Sequence, residues 1–263
     1  MNDTETPHSG VLPYQDRVNI VTIDDTFLWL GAGWRDFMAA GWVSIGYGLI
    51  FVVAGILLTV GLFYAGLEYL IPLMISGFLL VGPALTVGFH AISRDLEHGQ
   101  KPDLGRALMS WRANSAPLLG TGLALLLFMI VWARLAVMIF AVSFPYTSMD
   151  PQSMLNAVLF SVEGYIFLGI GTAVGGVLAV MAFMGSVASL PIMLDEGAGF
   201  LEAIVTSVVA VMMNLRTMLF WAVIIVVITG AGLIVGYIGL ILTLPLIGHS
   251  SWHAYRGLIK RKT

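Results

Sequence analysis

Three of the five histidines lie in or beside apolar segments, where an imidazole could bind a metal ion or a haem iron. His249 and His253 are four positions apart, so an α-helix would place both on one face. His90 has a similar setting, since the tripeptide FHA at 89–91 resembles WHA at 252–254. We therefore consider His90, His249 and His253 candidate ligands. The alternative is that they anchor helix ends at a membrane interface through hydrogen bonds to headgroups or backbone.

Arg134 is the only basic residue within a long apolar run, at 117–142. A charge in such a run favours a functional role, here in transport or gating. The alternative is structural. Arg134 follows Pro117 by 17 residues, near the far end of the run, where it could snorkel to the interface or pair with Glu68 or Glu163.

Asp195 and its neighbour Glu196 follow a proline at the end of another apolar run. Corresponding positions elsewhere in the chain hold His and Arg, so pairing with Arg94 or Arg256 is the favoured interpretation. Such a pair would be structural, because adjacent carboxylates alone are weak support for acid–base catalysis. The sequence contains no Ser-His-Asp arrangement, Walker motif or kinase signature. We predict no catalytic residue and no cofactor, and we favour a protein that is not an enzyme.

The composition identifies the class of protein that must position these side chains. Of the 263 residues, 59% are hydrophobic and only 10% are charged. The mean hydropathy is +0.94. Soluble domains carry about 25% charged residues. The chain is therefore predicted to be an integral membrane protein with the lipid bilayer as its surroundings. A net charge of −3 argues against a nucleic-acid partner.

The apolar runs predict an all-α, polytopic membrane protein with about six transmembrane helices, arranged as three hairpins. A hairpin is needed in the charge-free run 217–255, which is too long for one crossing. Gly230, Gly232 and Gly236 mark its predicted turn. Residues 143–161 predict an external loop with a short surface helix. The predicted spans are 41–66, 69–92, 117–142, 165–193, 217–231 and 235–252.

These spans belong to a single membrane domain, 24–259, between a polar tail at 1–23 and a basic tail at 260–263. Lys and Arg cluster before the first span, between the second and third, before the fifth and after the sixth. With six spans all four clusters fall on one side of the membrane. The positive-inside rule then places both termini in the cytoplasm.

A threefold internal pattern organises the spans. Each predicted hairpin is preceded by an amphipathic segment suited to the membrane interface, with Asp25 and Asp103 as the expected helix caps of the first two. Each hairpin also ends near a proline, at Pro83, Pro191 and Pro245. We infer three copies of a unit made of one surface helix and one transmembrane hairpin.

Several short motifs resemble an uncharacterised family of bacterial integral membrane proteins, domain of unknown function 2189. They are GWRDF at 33–37, SGFLLVGP at 76–83 with SR at 93–94, LPIMLD at 190–195, LPLIGH at 244–249 and WHAYR at 252–256. The resemblance covers roughly 23–259. It implies a polytopic protein of the bacterial inner membrane, and it carries no activity or ligand.

Three functions remain open at this point. The favoured one is a non-enzymatic accessory or scaffold protein that associates with other membrane proteins in a larger complex, for example a respiratory one. Short loops, a nearly charge-free interior and many small residues indicate it. The second is a small-solute transporter or channel, indicated by the threefold pattern and Arg134. The third is a metal- or haem-binding membrane protein that uses the cytoplasmic-side histidines.

Overall fold

The computed structural model describes residues 12–145 and 151–261. Within these ranges the chain is all-α, which confirms the predicted class, and an isolated bridge between Val18 and Ile259 is the only extended pairing described. Residues 1–11 of the predicted N-terminal tail and residues 262–263 of the basic tail lie outside the described residues. The helices are α1 (Ile23–Ala40), α2 (Trp42–Tyr64), α3 (Ile71–Leu85), α4 (Val87–Glu97), α5 (Leu104–Leu108), α6 (Ser115–Ser143), α7 (Pro151–Phe160), α8 (Val162–Ser186), α9 (Ser189–Glu196), α10 (Phe200–Met213), α11 (Leu215–Ile234) and α12 (Leu240–Leu258).

Five helical segments in the described residues are long and apolar enough to cross a membrane. They are Trp42–Tyr64, Glu68–Glu97, Ser115–Ser143, Val162–Glu196 and Leu215–Ile234. Two of these segments each consist of two helices with a short break between them. One break lies between the end of α3 at Leu85 and the start of α4 at Val87, and the other lies between the end of α8 at Ser186 and the start of α9 at Ser189. The sixth predicted span corresponds to α12. Its second half carries histidines and serines, which lower its hydropathy below that of the other five.

The turn of the last hairpin differs from the prediction. Helix α11 continues through Gly230 and Gly232 to residue 234, and the chain turns at 235–239. There Gly236 and Tyr237 adopt positive φ angles of 63° and 68°. The reason is that Gly232 lies at a close contact between α11 and α12 and not in the turn. A Cβ on Gly232 would lie 2.2 Å from the Thr243 Oγ1 of α12.

The amphipathic segments form helices, with one change at a helix start. Thr22 is the N-cap of α1, while Asp25 sits at the third helical position and accepts hydrogen bonds from the Thr22 backbone N–H at 2.7 Å and the Thr22 hydroxyl at 2.9 Å. This is a capping box, in which the acid supports the cap and does not form it. In the second segment Asp103 is the cap, and its carboxylate accepts from the Arg106 backbone N–H at 2.8 Å.

Helix α1 packs along α12, the most extensive contact between two helices of the described chain. Its buried face includes Trp29, Gly33 and Phe37. Phe27 and Trp34 of the same helix remain exposed. The exposed aromatic side chains suit a helix that lies against headgroups while its opposite face packs on protein.

The core lies at the end of the molecule that holds the three prolines. Helix α4 follows Pro83, α9 contains Pro191, and the second half of α12 follows Pro245; these three segments are buried and contact one another. Both ends of the described chain meet here as well. The Lys260 backbone N–H donates to the Arg17 carbonyl at 2.9 Å. The threefold pattern therefore brings its three copies together at one end of the helices.

Candidate functional site

A buried polar network lies where α1, α2, α4 and α12 meet. Each ring nitrogen of His249 is hydrogen-bonded to a serine hydroxyl. Ser44 Oγ lies 2.8 Å from Nε2, and Ser93 Oγ lies 2.8 Å from Nδ1. All three side chains are buried. A histidine in an apolar core needs partners for both nitrogens, and one serine from α2 and one from α4 provide them.

The network continues towards the surface through Asp36 on α1. Asp36 Oδ2 lies 2.8 Å from His253 Nε2. Burial by itself raises the pKa of the Asp36 carboxyl, but the interactions with His253 and with the nearby Ser93 hydroxyl outweigh it and hold that pKa below its ordinary value. Polar side chains thus follow one another from His253 through Asp36, Ser93 and His249 to Ser44.

His90 stands apart from this network. It is 2% exposed, and neither ring nitrogen has a hydrogen-bond partner in the described structure. Its ring centroid lies 6.4 Å from that of Trp252. Among residues 12–145 and 151–261, no three His, Cys, Asp or Glu side chains are grouped to hold a metal ion. His90 thus lies outside the polar network that contains His249 and His253, and the arrangement gives no support to a metal or haem site shared by all three.

We expect the His90→Leu variant to be more stable than the wild type by about 1–2 kcal/mol, because an unpaired buried polar group costs about that much. The matched control is His90→Gln, which keeps polar atoms at the same place and should bring no gain. The measurement is the apparent melting temperature of the purified protein in detergent. A lower melting temperature for His90→Leu would show that the imidazole has a partner, such as a bound water, that stabilises the native state.

A second cluster, of charged residues, ties the three proline-bearing segments together. Arg256 on α12 contacts Asp195 of α9 through Nη1 at 2.9 Å and Glu97 of α4 through Nη2 at 2.8 Å. The Tyr255 hydroxyl donates to Asp195 at 2.8 Å. Arg94, the other predicted partner of Asp195, instead donates from Nη1 to the Leu194 carbonyl at 2.6 Å. Asp195, Arg94 and Arg256 are therefore neighbours, and the arrangement joins one segment from each repeat.

The N-terminal segment joins the same cluster, which sequence reasoning missed. Arg17 Nη2 lies 2.8 Å from Glu196 Oε1, and Arg17 Nη1 lies 3.2 Å from Glu202 Oε1. Arg17 comes just before the bridge between Val18 and Ile259, so the pairing is fixed by backbone contacts at both ends of the described chain. The sequence offered no signal for it, because the partners are about 180 residues apart.

Arg134 forms neither of the two ion pairs that the sequence suggested for it. It is exposed on α6 and makes no hydrogen bond or ion pair with any residue in the two described ranges, Glu68 and Glu163 included. Arg134 lies about 14 Å from the end of α6 at Ser143, at 1.5 Å per residue. Glu68 and Glu163 lie at helix starts, in the connections beyond this level.

Several close helix contacts depend on single glycines. A Cβ on Gly88 would lie 2.2 Å from the Tyr47 ring, and one on Gly248 would lie 2.6 Å from Phe89. Of two glycines four residues apart on α8, Gly175 packs against Trp132, whereas a Cβ on Gly171 would meet open space. The spacing of glycines alone did not distinguish these cases.

Comparison with known proteins gives one match. Residues 70–195 match the family described as predicted integral membrane protein (DUF2189), which confirms the resemblance seen in the sequence over this stretch. The motifs at 76–83 and 190–195 fall inside the match, and those at 33–37, 244–249 and 252–256 fall outside it. No curated protein and no solved structure matches the chain.

Proposed function

We propose, for a chain whose residues 70–195 match this family of predicted integral membrane proteins, a non-enzymatic role as an accessory or scaffold protein in a larger membrane complex. The observation that carries the proposal is Arg134. This arginine lies on the exposed side of a membrane-spanning helix without a partner among the described residues. A charge at this depth is costly unless it reaches the interface or is paired. A carboxylate or a carbonyl of a neighbouring membrane protein would pair it.

The helices around Arg134 support the same conclusion. In the most apolar stretches of α6 and α8, only 6% of the residues are buried within the chain, compared with 28% for α11. These two helices pack on each other and on α3 through a small cluster of Leu80, Ala84, Leu125 and Ala182. Most of their surface is therefore left for lipid or for another protein. The combination of a free apolar surface and an arginine that is unpaired within the described residues favours a protein partner.

Six crossings of the bacterial inner membrane, with both termini in the cytoplasm, are part of this proposal. The two ends of the described chain lie side by side, joined by the hydrogen bond between Asn19 and Leu258 at 2.8 Å, and this supports an even number of crossings. Helix α12 would then be the sixth, with its polar half buried by α1 and α4 instead of facing lipid. The basic clusters at this end support a cytoplasmic location.

The polar network does not support the transport alternative. Its hydrogen-bonded chain ends at Ser44, near the start of α2, and within the described residues no further hydrogen-bonded group continues it along that helix towards Tyr64. A solute path through the membrane needs polar contacts along its whole length. We therefore propose the accessory role alone.

The test is quantitative mass spectrometry of the proteins that copurify with the tagged full chain from native membranes in mild detergent. We expect the subunits of one complex at constant stoichiometry. The Arg134→Gln variant should reduce their recovery at least about tenfold, because a desolvated charge pair across an interface is worth more than 1.4 kcal/mol. Arg112→Gln, which removes an exposed arginine outside the spans, is the matched control and should leave recovery unchanged.

Two results would contradict the proposal. One is a protein that purifies alone from native membranes, whichever residue stands at 134. The other would point to a partner within the chain itself. Asp150 lies outside the described residues, and an Asp150→Asn variant that lost stability together with Arg134→Gln, without any change in copurifying proteins, would assign the pair to this chain.

A further inference from the structure

A cavity opens between the two helices of the first hairpin. Helices α2 and α3 scarcely touch below the turn that joins them, and the turn between α11 and α12 closes the space from behind. The cavity has a volume of about 370 Å³. Its walls are almost entirely apolar, with Leu58 and Ala54 on one side, Ile75 and Phe78 on the other, and Leu233 at the back. A water molecule finds almost no hydrogen-bond partners in such a space, whereas an apolar chain is stabilised there.

The cavity is about as long as one leaflet of a bilayer is thick. Along α2 its lining extends from Leu62 to Ile50, which is about 18 Å at 1.5 Å per residue. One leaflet provides about 15 Å of hydrocarbon. At the inner end Phe51 and Leu85 line the cavity. The Phe51 and Tyr47 rings meet edge to face with their centroids 5.2 Å apart, and Tyr47 meets Phe89 in the same way at 4.8 Å. These packed rings lie beyond the inner end of the cavity, which forms a slot that is open to lipid at the side.

One pair of hydroxyl groups stands in the wall of this slot, about one helical turn inside its outer end at Leu62. The Tyr237 hydroxyl lies 2.8 Å from Thr59 Oγ1. Tyr237 holds a φ of 68°, a conformation that is unusual for a bulky side chain and that persists only where the surroundings impose it. Gly55 provides the room, since a Cβ there would lie 3.2 Å from the Tyr237 ring. The backbone and the opposite helix together hold this hydroxyl at the slot.

We propose that the slot binds one acyl chain, with the carbonyl oxygen at the head of that chain accepting a hydrogen bond from the Thr59–Tyr237 pair. Two hydroxyl groups carry two hydrogens and use one of them for each other, which leaves one donor for a ligand. No charged side chain lines the slot. The ligand is therefore recognised by an apolar chain and a neutral acceptor, the chemistry of an acyl ester or a carboxylic acid.

The depth of the hydroxyl pair agrees with this ligand. Thr59 is five residues from the outer end of α2 at Tyr64, or about 8 Å along the helix. Ester groups of a bilayer lie at the boundary between headgroups and hydrocarbon, so the carbonyl would meet the hydroxyl pair while the chain descends towards Phe51. A phospholipid and a free fatty acid share this chemistry, and the two are separated by experiment.

The experiment uses the full chain in nanodiscs that contain phosphatidylethanolamine with a diazirine midway along one acyl chain, or in a second arm the matching diazirine fatty acid. Crosslinked peptides are mapped by mass spectrometry after illumination. We expect labelling concentrated in 50–62 and 71–85, well above that of α8. Saturable labelling by the phospholipid identifies a bilayer lipid as the source, and saturable labelling by the fatty acid alone identifies a free acid.

Three variants make the result specific. Ala54→Phe fills the slot and should abolish the concentrated labelling, whereas Ala173→Phe, on the exposed face of α8, should leave it unchanged. Tyr237→Phe keeps the ring and removes one hydroxyl, and should weaken saturable labelling about fivefold, as expected for one hydrogen bond. Labelling spread evenly over the lipid-facing helices and insensitive to Ala54→Phe would overturn the proposal. None of these outcomes depends on the proposed partner protein.

Discussion

Replacing Gly33 with alanine should lower the stability of the folded protein by about 3 kcal/mol or more, because the new methyl group has no space. A Cβ at Gly33 would lie 2.1 Å from the Ser250 Oγ and 2.5 Å from the Ser250 backbone nitrogen. The hydroxyl can rotate away, but the backbone nitrogen cannot. Helices α1 and α12 would have to separate along their whole contact, which also holds the His253–Asp36 pair.

Gly31 provides the matched control in the same helix. A Cβ at Gly31 would meet nothing within 4 Å. Gly31→Ala should therefore be neutral or gain up to about 1 kcal/mol, the difference in helix propensity between the two residues. Apparent melting temperatures in detergent and unfolding in SDS measure both variants. Equal losses for the two would show that α1 does not pack on α12 as described here.

The fold class was predictable because it depends on a one-dimensional property of the sequence. A run of about 20 residues with no charge has one stable location, across the bilayer. The stretch from Asp36 to Arg94 holds a single charge, at Glu68, and it gives two of the five apolar segments. No knowledge of the neighbouring helices is needed for this inference.

The turn and cap residues that the sequence did not predict depend on which residues of other helices pack against them. Gly232 and Gly236 look alike in the sequence, yet the first packs against Thr243 and only the second turns the chain. Asp25 is as good a cap as Thr22 by residue type, and its place at the third position of α1 became clear only with the backbone. Turns and caps are local, but which of two adjacent candidates is used is decided by packing.

The candidate site was predictable to a similar extent. Asp195 and Arg256 follow equivalent prolines, so a threefold arrangement places them together, and their side chains lie 2.9 Å apart. Ser44 and Ser93 gave no signal as partners of His249, because a serine in an apolar helix is common and carries no pattern. Possible partners of Arg134 were inferred from its position in the apolar run, and that position does not determine whether the side chains of Glu68 and Glu163 reach it.

Replacing Arg256 with methionine is expected to cost about 3 kcal/mol of stability, since it leaves acidic groups without their cation in a partly buried cluster. The Arg256 side chain is 16% exposed and that of Asp195 is 13% exposed. The guanidinium also lies 5.1 Å from the Trp252 ring centroid. Methionine keeps the apolar stem against that ring, so the loss reports mainly on the charge. Unfolding in SDS, compared with the wild type, measures it.

Arg261 makes the comparison quantitative, because it pairs with the same Glu97 from a side chain that is 65% exposed. Water already screens that pair, so Arg261→Met should cost less than about 1 kcal/mol. Adding Asp195→Asn to Arg256→Met should restore part of the loss, because the neutral amide no longer needs a cation. Equal losses at 256 and 261, or no recovery in the double variant, would mean that the three proline-bearing segments are held by apolar packing alone. The ion cluster would then have no part in joining the repeats.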